Sequence, residues 1–253
     1  MQDDSPLGRT MALIRDLRAR CPWDRDQTAD SLRPYLMEET HELDAAIAAG
    51  DVPAMRDELG DVLLNVAYQL VLAEERGDFT ADDVATQLIR KMERRHPDLF
   101  NLGPAEPWEV LKQRERRAAS SMLVGIPESL PGLLKAFRLQ SRAAGVGFDW
   151  HDTTGPAEKV REELLEVEAA IRDKEPVDAL VAEVGDLLFA VVNLGRKANV
   201  SAWAAMEAAN AKFERRFRRV EQLVGERGMS MTESPITAIN AIWDEVKREE
   251  TRA

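Results

Sequence analysis

The chain has 253 residues, 44% hydrophobic and 32% charged, which excludes a disordered polypeptide and allows one large domain or two smaller ones, each with a real core. A net charge of −12 argues against a nucleic-acid binder, whose affinity comes from Lys and Arg neutralising phosphates. The single cysteine, Cys21, excludes an internal disulfide, and neither a secretory signal nor an apolar run of membrane-spanning length is present, so a cytoplasmic protein without membrane partners is expected.

Helical periodicity dominates the chain. Ser5-Pro6 reads as an N-cap followed by Pro at the first helical position, with Leu7, Met11, Ile14 and Leu17 recurring at helical spacing. Cys21-Pro22-Trp23-Asp24 reads as a loop. A second helix is expected from about Arg33 to Ala49, stopped by Gly50, and a third runs from Asp51 and Pro53 to about Arg76. Thr80 caps a fourth, with Val84, Leu88 and Met92 on one face, and Pro97 ends it. A loop over 97–107 leads to a polar helix around Trp108–Ala119, and residues 120–132, with Ser120, Gly125, Pro127 and Pro131, form the best linker candidate. Beyond it the order repeats: a helix over 132–144, a loop at Gly147-Phe148-Asp149-Trp150, and helices opened by Thr154 and Pro156, near Pro176, at Ser201 and at Ser234-Pro235. No strand pattern rises above the helical one, so the expected class is all-α.

The repetition extends to side chains. Glu38-Glu39-x-x-Glu42 recurs as Glu162-Glu163-x-x-Glu166, 124 residues on, and Glu58-x-x-Asp61 recurs as Glu183-x-x-Asp186, 125 residues on. Lys91 to Arg95 recurs as Lys212 to Arg216, and Trp108/Lys112 as Trp243/Lys247. Four matches in one order, the first three at offsets of 121 to 125, indicate a duplication. The period is too long for a solenoid, so two related domains are expected, 1–119 and 133–253, joined by 120–132.

Positions i, i+3 and i+4 share a helix face. Glu42 lies 8 residues before Gly50 and Glu58 lies 8 after it; Glu39 and Asp61 lie 11 on either side. An antiparallel pair therefore levels the two acid sets, roughly 12 Å from the turn at 1.5 Å per residue. Glu163/Glu166 and Glu183/Asp186 are likewise symmetric about Lys174–Glu175. Carboxylates meeting between two helices repel unless a counter-charge intervenes, and an all-oxygen donor set suits Mg²⁺, with Mn²⁺ as a substitute. The metal candidates are the four or five acids of the second half, Glu163, Glu166, Glu183 and Asp186 with Glu162 beside them, and a possible second site lies at Glu39, Glu42, Glu58 and Asp61 with Glu38. Lys212, Arg215 and Arg216 are candidates to hold phosphate oxygens, as is Lys159, which shares the acid face of Glu162 and Glu163; its counterpart in the first half is Tyr35. Trp243 and Lys247 could reach a base or phosphate. Glu38-x-x-His41 has the form of a di-iron motif, but the second copy places Leu165 where the His would stand.

Cys21-Pro22-Trp23-Asp24 with Gln27-Thr28, the duplicated EExxE and ExxD motifs, Glu93-Arg94-Arg95-His96-Pro97, Gly147-Phe148-Asp149-Trp150 and Lys212-Phe213-Glu214-Arg215-Arg216 together closely resemble the MazG family of nucleoside triphosphate pyrophosphohydrolases. The resemblance covers nearly the whole chain. It implies a tandem all-α fold, an interlocked homodimer, and Mg²⁺-dependent hydrolysis of nucleoside triphosphates to monophosphate and pyrophosphate. Carried over by motif, it implies that Glu163, Glu166, Glu183 and Asp186 bind Mg²⁺ and that Glu162 orients or activates water. Lys159, Lys212, Arg215, Arg216 and Lys247 would bind phosphates, and Trp243 would flank the nucleotide. Lys159 and the longer phosphate helix favour the second half as the working one.

Overall fold

A computed structural model describes residues 5–105 and 121–252. The chain divides into two compact units, Met1–Leu111 and Lys112–Ala253. Every regular element among the described residues is helical. The helix expected around Trp108–Ala119, with Trp108 and Lys112, lies outside the described residues.

The first unit is built on a helical hairpin. Helices α3 (Arg33–Ala49) and α4 (Val52–Arg76) are separated by Gly50, whose φ of +66° closes the end of α3 in the left-handed region that glycine enters without strain. The Asp51 side chain accepts from the Ala54 N–H at 3.1 Å and starts α4. Helix α1 (Pro6–Arg20), capped by the Ser5 hydroxyl, packs along α4. The core contains Met11, Ile14, Leu32, Tyr68 and Val71; each such large apolar side chain stabilises the unit by roughly 1.5–3 kcal/mol on full burial. Residues 22–26, expected as loop, instead form a short helix α2 (Pro22–Asp26). Pro22 at its first position loses no hydrogen bond, and Asp24 sits in its first turn. Helix α5 (Ala81–Arg95) opens with a reciprocal capping box between Thr80 and Asp83.

The second unit repeats the hairpin with α7 (Thr154–Asp173) and α8 (Val177–Lys197). Lys174 takes the left-handed position at φ +53°, and Pro176 precedes α8, so the chain reverses where the acid spacing requires. Helix α6 (Gly132–Ala144) packs on α8 and on α9 (Ala202–Glu226), which Ser201 caps. Helix α10 (Ile236–Arg252) closes on α9 through Val220, Leu223, Val224, Ile242 and Val246. Within the expected linker, Arg142 reaches back from α6 to the carbonyls of Met122 and Gly125, at 3.3 Å each, and fixes that stretch to the helix.

Candidate active site and metal centre

The levelled acids meet as their spacing requires. In the second unit, Glu163 from α7 and Glu183 and Asp186 from α8 bring carboxylate oxygens within 4.8 Å of one another. Glu162, Glu163 and Glu166 form an overlapping group along α7. In the first unit Glu39 from α3 converges with Glu58 and Asp61 from α4 within the same limit. Glu42 is close enough to Glu58 to hydrogen-bond it.

The two clusters are balanced differently. Glu163 is buried, at 4% exposure, and so needs a compensating partner. Lys159, one helical turn earlier, supplies it: its Nζ lies 2.5 Å from Glu163 Oε1 and 2.8 Å from Glu162 Oε1. That ammonium holds the Glu163 carboxyl below the usual carboxylate range, against the opposing effect of burial. Glu166, hydrogen-bonded to Glu163, is raised by that bond, by desolvation and by the neighbouring negative charge. The same carboxylates push Lys159 upward and keep it charged. In the first unit Glu39 is raised, first by burial and then by repulsion from Asp61, Glu42 and Glu58. Glu58 is raised by burial and by Glu42 and Asp61. Tyr35 stands where the second unit has Lys159, and a phenol brings no positive charge.

Beside the second cluster lies a cavity of about 760 Å³, within the range of small-molecule sites. Lys159, Glu163 and Asp186 line it together with Phe148, Trp150 and Phe189. Gln140 of α6 and Asn193 and Arg196 of α8 add polar groups to the wall. The Gly147–Trp150 loop is fastened to α8 from two sides. Asp149 pairs with Arg196 and, at 3.3 Å, with Lys197, whose Nζ also donates to the Trp150 carbonyl at 2.7 Å. Arg196 first and then Lys197 pull the Asp149 pKa down to about 2, against desolvation. Gly155 in the first turn of α7 lies under the Trp150 ring; a Cβ there would stand 2.2 Å from a ring carbon, so only glycine admits this placement. A cavity of about 440 Å³ in the first unit is lined by residues such as Met11, Arg15 and Glu74, and by none of that unit's cluster acids.

The other expected phosphate ligands lie apart from this cavity wall. Arg215 and Arg216 on α9 both bond Glu250 of α10, at 3.1 and 2.7 Å, and Lys247 pairs with Asp244 at 2.9 Å. Lys212 is exposed on the same helix as the arginines. Trp243 packs against the α9–α10 core, its ring centroid 5.5 Å from that of Phe213. The aromatic side chains at the cavity are those of the Phe148–Trp150 loop and Phe189, and not Trp243. Gln140, Phe189 and Asn193 carry no motif of their own and meet only when α6 packs on α8, so sequence spacing does not reveal them. The first-half counterparts of Lys212 to Arg216, Lys91 to Arg95, lie on α5, which among the described residues packs on α4 and not on α3.

The model of the MazG nucleotide pyrophosphohydrolase domain matches residues 27–100 and again 153–221, spans that contain the two carboxylate clusters. The chain is similar to a nucleoside triphosphate pyrophosphohydrolase of Escherichia coli strain K12, 43% identical over 251 residues that cover 95% of each chain. It is also similar to the nucleoside triphosphate pyrophosphohydrolase/pyrophosphatase MazG of Thermotoga maritima, at 42% identity over 90% of this chain and 89% of the relative. An uncharacterized protein, YabN of Bacillus subtilis, is 39% identical over 96% of this chain but only 52% of its own length. With the family's domain matched in both units, around the same levelled acids, the chain belongs to the MazG nucleotide pyrophosphohydrolase family.

Proposed function

We propose that the chain hydrolyses nucleoside triphosphates to nucleoside monophosphate and pyrophosphate, with Mg²⁺ held at the second-unit cluster, in the control or cleansing of the nucleotide pool in the cytoplasm. The observation that carries this reading is the convergence of Glu163, Glu183 and Asp186 from two helices beside one cavity, whose wall Glu163 and Asp186 share with Lys159. The relatives' names supply the reaction class.

The donor set fits the metal. Every group in the cluster offers carboxylate oxygen, the donor that Mg²⁺ and Mn²⁺ prefer, and the one ammonium present leaves an excess of negative charge. Glu163, Glu183 and Asp186 would hold the ion, with Glu166 adjacent. Such an ion supplies neutralisation of the polyphosphate and Lewis acidity at its oxygens. The Lys159 side chain is partly exposed and can turn from Glu162 to a phosphate oxygen. That would leave the Glu162 carboxylate able to accept a proton from the attacking water. The water oxygen bonds to the α-phosphorus, the bond from that phosphorus to the α–β bridging oxygen breaks, and pyrophosphate leaves.

A homodimer belongs to the same reading. Leu165, Ile171, Val177, Val181, Val184 and Leu188 leave a large apolar surface exposed on α7 and α8, and a second copy would cover it. Arg215, Arg216 and Lys247 would reach phosphate by exchanging their present carboxylate neighbours for it, and the exposed Lys212 would join them. No helix among the described residues is long and apolar enough to cross a membrane. The test is direct: Mg²⁺-dependent release of pyrophosphate from nucleoside triphosphates, with orthophosphate as the first product refuting the reading.

A further inference from the structure

We propose that the cavity beside the second cluster is the nucleobase pocket, and that Gln140 reads the base through its side-chain carbonyl oxygen. This assignment rests on the reading of the chain as a nucleoside triphosphate hydrolase and names the part of the site that recognises the nucleoside. The carboxylate cluster, Lys159 and the cavity are continuous, because Lys159, Glu163 and Asp186 themselves line the wall. A nucleotide whose phosphates meet those groups has its sugar and base to place, and the remaining wall suits a flat, polar-edged ring.

Gln140 carries the argument. Its side chain is buried, at 6% exposure, and its Nε2 donates to the Phe189 main-chain carbonyl at 2.8 Å. A carbonyl only accepts, so the amide nitrogen must face Phe189 and Oε1 must face the other way. That oxygen is buried and has no hydrogen-bond partner. A buried acceptor left unpaired is costly; Gln140 lines the cavity, and its Oε1, which has almost no surface of its own, recovers the cost when the wall adjusts to admit a ligand N–H. Every common nucleobase presents such an N–H, on the ring or on an exocyclic amine. Asn193 complements it. Its Oδ1 already accepts from Arg196 at 2.7 and 3.2 Å, so what it can offer a ligand is its amide nitrogen, as a donor.

Flat apolar faces stand beside these polar groups. Phe148 is 83% exposed although it lines the cavity, an unfavourable position for a phenyl ring until something stacks on it. Trp150 is held in place by Gly155 below and by Lys197 on its carbonyl. The first unit lacks this arrangement. At the 125-residue offset Asn193 becomes Tyr68, whose buried ring joins the core and whose hydroxyl bonds Asp24, itself the counterpart of Asp149. Gln140 becomes Arg15, which pairs with Glu74 at 2.5 Å.

The test uses the full-length protein with Mg²⁺ and calorimetric binding of α,β-methylene analogues of the four common nucleoside triphosphates, with inorganic tripolyphosphate as a base-free probe. Gln140→Leu removes the acceptor, and Phe148→Ala removes an exposed ring that the fold does not need. Each is expected to weaken the nucleotide analogues about tenfold, with tripolyphosphate unchanged. Gln140→Leu should also level the affinities for different bases. Wild-type affinity for every analogue in both variants would overturn the assignment, as would a loss of tripolyphosphate binding equal to that of the nucleotides. A wild-type protein that shows the expected binding pattern but releases no pyrophosphate from hydrolysable triphosphates would refute the catalytic reading while supporting the pocket.

Discussion

The two units carry the same acids at the same helical heights but neutralise them in opposite ways. In the first, burial and mutual repulsion push Glu39 and Glu58 upward. In the second, Lys159 sits among the carboxylates and holds Glu163 down. The flanking motifs diverge as well. Asp24 of the first unit is buried and bound to the Tyr68 hydroxyl, and that bond with burial drives the Tyr68 pKa upward. Its counterpart Asp149 holds Arg196 and Lys197 and so anchors a loop at the rim of a cavity. One duplicated skeleton thus has a tyrosine-filled core in one copy and an aromatic-lined site in the other. Carboxylate geometry alone does not distinguish the two clusters; the Lys159 counter-charge and the cavity beside the second one do.

The comparison can be broken most severely at the acids. Asp186→Asn is expected to lower pyrophosphate release by about two to three orders of magnitude, the scale of losing one preorganised charge at a reacting centre, while Asp61→Asn leaves most of the rate. Comparable steady-state losses in the two variants would erase the distinction between the units. Lys159→Met should cost less, about one to two orders of magnitude in kcat/KM. An unchanged rate would remove the main feature that separates the clusters. Gly155→Ala forces the Trp150 ring aside and is expected to destabilise the second unit by about 1–3 kcal/mol, read by denaturant unfolding, with weaker nucleotide binding. Wild-type stability would show that the ring has room to move.

The smallest effect is one of pH. The Asp149 pKa is depressed to about 2 in the folded chain, below the unfolded value of about 3.9. The Asp149 ion pairs therefore contribute stability above pH ~4 that is lost as pH falls towards 2. Asp149→Asn should lower stability at neutral pH and flatten its acid dependence. An unfolding profile parallel to wild type between pH 5 and about 2.5 would contradict this sign.

Most of the fold was legible because its signals are local. Ser5, Asp51, Thr80 and Ser201 cap the helices they precede, and Gly50 and Lys174 reverse the chain at the points about which the acids are symmetric. The carboxylate clusters followed from that symmetry. The Cys21–Asp24 stretch reads as loop yet runs into a helix from Pro22, and Pro at a first helical position with an acid in the first turn are the marks of that helix start. The cavity was not legible. Gln140 and Asn193 are 53 residues apart and become neighbours of one space only through the packing of α6 on α8. The family resemblance implies Trp243 beside the nucleotide; its contact with Phe213 and the α9–α10 core depends on a helix crossing that residue spacing does not encode. Arg215 and Arg216 likewise meet Glu250, a partner 34 residues from Arg216.

The central claim is that catalysis resides in the second carboxylate cluster. It is tested most directly by identifying the product released from a nucleoside triphosphate with Mg²⁺ by the wild-type protein, Glu183→Gln and Glu58→Gln. The account predicts pyrophosphate from wild type and from Glu58→Gln, and none above background from Glu183→Gln. Equal loss in the two variants, or orthophosphate as the first product, would contradict it.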